Sequence, residues 1–72
     1  MSELINAQGL GCAEPIILAK KALELYDEIT IIVDARTALE NLRALGNHLG
    51  CLIRVTTEIE YIYTVHFRKN KG

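Results

Sequence analysis

Disulfide-forming cysteines are scarce in this chain: there are two, Cys12 and Cys51, in 72 residues, together with a single proline and no tryptophan. A stapled secreted scaffold of this size shows four or more cysteines, so both thiols are expected to stay reduced in the cell. Long apolar runs are missing as well. The longest, Ile16-Ile17-Leu18-Ala19, falls far short of the roughly 20 residues that span a bilayer, and no basic stretch leads into an apolar one near Met1. A soluble, cytoplasmic protein with no membrane partner is expected. Charge of one sign is lacking too: the net value is −1, without the basic excess that phosphate backbones attract, so no direct DNA binding is expected. Linkers rich in Gly, Ser or Pro and internal repeats are absent. A chain this short buries only about 60% of its unfolded surface and holds one core, so residues 1–72 read as one domain.

What is present is an ordinary globular composition, half apolar and about a quarter charged, which sets the chain apart from disordered segments. Its charge is uneven. Residues 1–34 carry two Lys against six acids, and residues 35–72 carry six Lys or Arg against three Glu, with Arg68, Lys69 and Lys71 clustered at one end. A partner could meet two differently charged ends, although a solvated surface explains the pattern equally well.

Hydrophobic period divides the chain. Glu3 to Ala7 reads as a short strand, followed by a tight loop at Gln8-Gly9-Leu10-Gly11. From Pro15 the period is helical. Ile16, Ala19, Leu23 and Tyr26, joined by Leu18, Ala22 and Leu25, form an apolar arc against Lys20, Lys21, Glu24 and Asp27, while Ile17 projects among the charges. Pro15 suits a first turn, where its missing N–H leaves no bond unmade. Ile29 to Val33 is β-branched and reads as a buried strand. A second helix follows, with Ala38, Leu42, Leu45 and Leu49 opposite Arg36, Glu40, Arg43 and Asn47. Thr37-Ala38-Leu39-Glu40 matches a capping box there, and Gly50 supplies the stop. Cys51 to Thr57 and Tyr61 to Phe67 alternate as strands of a hairpin, with Tyr61, Tyr63, Val65 and Phe67 on one face and Ile62, Thr64 and His66 on the other. The turn between them, Thr57-Glu58-Ile59-Glu60, carries no Gly, Asn or Asp. The order β-α-β-α-β-β predicts an α+β fold, a two-layer sandwich of a four-stranded mixed sheet with both helices on one face. Its other face is left wet or open to a partner, and so small a core leaves no room for a large substrate cavity.

Chemistry concentrates in Gly9-Leu10-Gly11-Cys12-Ala13-Glu14-Pro15, a thiol in a glycine loop at the mouth of a helix. A helix N-terminus offers unpaired N–H groups and about half a positive charge, which favour thiolate or persulfide anion over the neutral acid. The glycines keep the backbone slim enough for a partner's sulfur to approach. Two considerations weigh against reactivity: free cysteines often just fill small apolar gaps, and Glu14 opposes thiolate formation if its carboxylate approaches the sulfur.

These residues resemble the TusA/SirA-like sulfur-carrier family, whose signature is a Cys-Pro-x-Pro motif opening the first helix. Cys12-Ala13-Glu14-Pro15 keeps the first and last members of that motif, with Ala13 in place of its first proline. Leu18-Ala19-Lys20-Lys21-Ala22-Leu23, Val33-Asp34, Ala38-Leu39-Glu40-Asn41-Leu42 and Gly50 extend the likeness over nearly the whole chain and are similar to the YedF-like branch. The resemblance implies that Cys12 accepts a sulfane sulfur from a cysteine desulfurase or other sulfur donor. It then passes that sulfur to a downstream acceptor protein in tRNA thiolation or other sulfur or selenium metabolism. A domain with one activated thiol and no evident general base suits a carrier that works with partner enzymes better than a stand-alone enzyme, and no cofactor is called for.

Gly9, Gly11, Glu14 and Pro15 then shape the loop, and Leu10, Ile17, Lys20 and Lys21 are candidate docking residues, since an outward apolar side chain beside a transfer thiol could pack on a donor. Cys51 reads as a core thiol. His48 and His66 with the two cysteines hold the right atoms for zinc, but their spacing matches no compact ligand pattern, and no metal is assigned. Two rival readings remain open: a non-catalytic regulatory module binding protein or RNA through the Tyr and Arg residues of the wet sheet face, and a thiol redox protein pairing Cys12 with Cys51.

Overall fold

The structure, a computed structural model, describes residues 2–11 and 13–69, with Ser2 and Glu58 described by backbone alone; Cys12 and Lys71, both named above, lie outside the described residues. Along the chain run β1 (Ser2–Asn6), α1 (Ala13–Leu25), β2 (Glu28–Val33), α2 (Arg36–Leu49), β3 (Leu52–Ile59) and β4 (Ile62–Arg68). The strands form one sheet in the order β1-β2-β4-β3, with β1 parallel to β2 and the other two pairings antiparallel. Both helices lie on one face. This is the mixed two-layer α+β sandwich that the hydrophobic periods predict.

Alternation within the strands places Ile29, Ile31 and Val33 of β2 and Val65 and Phe67 of β4 under the helices, all buried. Ile5, Ile53, Val55 and Tyr63 pack around them. From above, α1 contributes Pro15, Ala19, Ala22 and Leu23, and α2 contributes Ala38, Leu39, Leu42 and Gly46. At Gly46 the helix approaches the sheet closely. A Cβ there would sit 2.7 Å from Ile53 Cγ1 and 2.9 Å from Phe67 Cε2, too near for any side chain, so the glycine lets α2 settle onto β3 and β4.

The helical arcs need correction at their C-terminal ends. Leu25 is 79% exposed and Leu49 is 46% exposed, because each is the final residue of its helix and projects beyond the sheet. Leu39 and Gly46 fill the buried face instead. The capping box is not formed: α2 starts at Arg36 with Ala35 in the cap position, and Leu39 N–H already donates to the Ala35 carbonyl at 3.1 Å. Thr37 therefore lies inside the first turn. Gly50, at φ 73°, closes the helix as expected, with its N–H on the Asn47 carbonyl and that of Cys51 on the Gly46 carbonyl.

The hairpin turn falls later than expected, at Glu60-Tyr61, after an irregularity in β3 between Thr57 and Ile59. Tyr61 is consequently an exposed turn residue at φ 71°, not a member of the inner face. Cys51 precedes β3 instead of opening it. At the other end of the sheet the Tyr26 hydroxyl bonds to the Glu3 carboxylate, joining the end of α1 to β1 and raising the phenol's pKa.

Candidate functional site

Parallel pairing of β1 and β2 fixes where the glycine loop lies. Asn6 pairs with Ile32, and the Ala7 N–H continues the ladder onto the Ile32 carbonyl at 2.8 Å, so the chain leaves β1 beside the last residues of β2. Each of the next three amides also has an acceptor. Gln8 N–H donates to Asn6 Oδ1 at 3.1 Å, Gly9 N–H to Asp34 Oδ2 at 2.9 Å, and Leu10 N–H to the Ala7 carbonyl at 3.4 Å. Gly9 adopts φ 80°, which a side chain would strain, while a Cβ on Gly11 would meet nothing within 4 Å. The second glycine thus leaves open space at the mouth of α1.

The helix opens at Ala13, two residues before Pro15. Pro15 sits in its first turn with its ring fully buried, at a position whose N–H would have no intrahelical acceptor, so its ring packs without orphaning a donor. Glu14 is an exposed first-turn acid that complements the helix dipole. Gly11 and Ala13, which flank position 12 in the sequence, are both exposed.

The remaining candidates extend from this mouth. Leu10 is 40% and Ile17 47% exposed, the outward position that 100° per residue assigns to Ile17. Lys20 and Lys21 follow one turn further along α1, also exposed. Asp34 and Asn6, which hold the loop, were not visible as site residues; Asp34 is carried in the sequence only by the family likeness. Its role depends on strand pairing between segments 25 residues apart.

Cys51 belongs elsewhere. Strand directions put it at the end of the sheet opposite the glycine loop, and at the β3 edge, away from the β1 edge. Half-buried, its thiol is pushed above its ordinary pKa by desolvation, with a smaller opposing pull from Lys69. It lines a shallow groove with Arg43, Asn47 and Val55.

On the uncovered sheet face, Glu28 lies between His66 Nε2 at 3.6 Å and Arg68 Nε at 3.7 Å, while His66 Nδ1 shares a hydrogen bond with Thr30 Oγ1 at 2.9 Å. Arg54 stands beside His66 across the β3–β4 ladder. The tyrosines expected on this face are not there: Tyr63 packs on the core, Tyr61 is in the turn, and Tyr26 follows α1. Among the described residues, no three His, Cys, Asp or Glu side chains gather as metal ligands, and no helix is long and apolar enough to cross a membrane.

A four-stranded mixed sheet under two helices, with a glycine loop feeding the first of them, defines a SirA-like domain. The crystal structure of the SirA-like protein from Desulfitobacterium hafniense matches it with a TM-score of 0.86 and 26% identity, over 96% of this chain and 99% of that one. The family model described as sulfurtransferase TusA matches residues 3–69, and the chain belongs to that family of sulfur carriers, which work in relays with partner proteins. No curated protein matches the chain.

Proposed function

We propose that the protein is a sulfur carrier in which Cys12 bears the transferred atom as a persulfide. Sulfane sulfur moves from a donor persulfide, such as that of a cysteine desulfurase, when the Cys12 thiolate attacks its terminal sulfur and the donor leaves as thiolate. The same exchange, with Cys12 as leaving group, delivers the atom to an acceptor thiolate. The observation that carries this reading is the exposure of Gly11 and Ala13, which flank position 12 in the sequence, where α1 begins in a chain of the TusA family. Unpaired amides and the positive end of the helix dipole favour an anion at that place in the chain. Leu10, Ile17, Lys20 and Lys21 supply an exposed apolar and basic margin on which a donor could dock.

The diagonal separation of Cys51 from the loop argues against a redox pair. Cys51 precedes β3, three inter-strand steps of about 4.8 Å from β1, and lies at the end of the sheet opposite the glycine loop, far beyond the roughly 7 Å between Cα atoms that a disulfide tolerates.

Incubating the protein with cysteine and a cysteine desulfurase should add one sulfur atom to the intact mass of the wild type and of Cys51→Ser, and none to Cys12→Ser. Retention of the gain in Cys12→Ser, or its absence in wild type with a donor competent on another carrier, refutes the reading.

A further inference from the structure

A side chain distant in sequence tethers the glycine loop. The Ala7 and Leu10 amides bond to backbone and that of Gln8 to Asn6 two residues away, whereas Gly9 N–H is held at 2.9 Å by Oδ2 of Asp34, beyond the end of β2. Gly9 is also the residue at φ 80°, where the chain turns towards Gly11 and α1. A loop pivoting on an unhindered glycine has many accessible conformations, and one charge-assisted bond at the pivot selects among them.

We propose that Asp34 is a positioning residue for sulfur transfer, clamping the Gly9 amide so that the loop presents position 12 to the donor in one geometry. The inference rests on the carrier reading. Transfer between two sulfurs needs the attacking group held in line, so a loosened loop lowers the transfer rate even when the thiol itself is unchanged. Asp34 also lies just before α2, where a carboxylate favours the helix dipole, and a purely structural role there is the competing explanation.

Three measurements on Asp34→Ala and Asp34→Asn separate these. Asparagine keeps an oxygen acceptor of the same reach but no charge. Exchange of the Gly9 amide should accelerate about tenfold in Asp34→Ala, the loss of one bond to a charged group, and recover largely in Asp34→Asn. Sulfur loading from a cysteine desulfurase should slow by a similar factor in the alanine variant and recover in the asparagine variant, with the thermal midpoint compared in parallel. Equal loss of loading in both variants with Gly9 exchange restored in Asp34→Asn overturns the proposal, since the loop is then held while transfer is not; unchanged Gly9 exchange with faster exchange at the start of α2 overturns it in favour of the helix. Failure of the wild type to load sulfur would remove the carrier reading instead, while amide exchange and the rate of Cys12 alkylation by iodoacetamide would still decide whether Asp34 sets the loop.

Discussion

Single residues decide where this domain is reactive and where it is close-packed. The two thiols should respond differently to pH. Desolvation raises the Cys51 pKa, so its alkylation at neutral pH should be slow and rise only on the alkaline side, whereas Cys12, following the dipole argument, should alkylate faster at neutral pH. Rates for Cys12→Ser and Cys51→Ser across the neutral and alkaline range check this, and equal slow rates would mark both thiols as inert. Gly46 is the packing counterpart: Gly46→Ala must push Ile53 and Phe67 aside and should cost about 1–3 kcal/mol in urea unfolding. At this scale the sequence was partly legible. Helical spacing alone turns Ile17 outward, but the same spacing put Leu25 and Leu49 inside, since period gives a direction and not whether a partner surface extends that far. Gly46 carries no apolar signal and so could not announce itself as core.

Among the elements, helices and strands were legible from their periods, while two of their junctions, the start of α2 and the β3–β4 turn, were not. The start of α2 is set by the extended backbone of Ala35 at the exit from β2, and this overrides the Thr37–Glu40 capping match. The β3–β4 turn has no sequence mark because the residue in its left-handed position is Tyr61, a side chain that the conformation disfavours by about 1 kcal/mol or more. Tyr61→Asn, better suited to that region, should therefore raise stability by up to about 1 kcal/mol, read from the urea midpoint, without changing sulfur loading. The glycines of the β1–α1 connection were legible as a tight turn, but its tether to Asp34 was not, since it exists only once β1 and β2 pair in register.

Across the whole molecule, the layers and their composition follow from the sequence, whereas the strand order does not, because local periods carry no information about which strands become neighbours. One long-range contact, Tyr26 with Glu3, has a consequence for pH. The bond raises the phenol's pKa, so its stabilisation is present below the unfolded tyrosine value of about 10 and is lost as pH rises through the higher folded value. Tyr26→Phe should flatten that part of the alkaline decline in unfolding midpoint; Cys51, whose pKa is also raised, contributes in the same direction and is removed as a variable by making the comparison in Cys51→Ala. The order β1-β2-β4-β3 reaches further still. The strand formed late in the chain is a central one, hydrogen-bonded on both sides, so β1 and β2 cannot join β3 until it has been made. During synthesis, a ribosome-bound intermediate ending before Ile62 would hold the β1–β2 pair and a β3 segment without its partner strand, and the cooperative closure of this domain awaits release of the segment up to Arg68 from the exit tunnel.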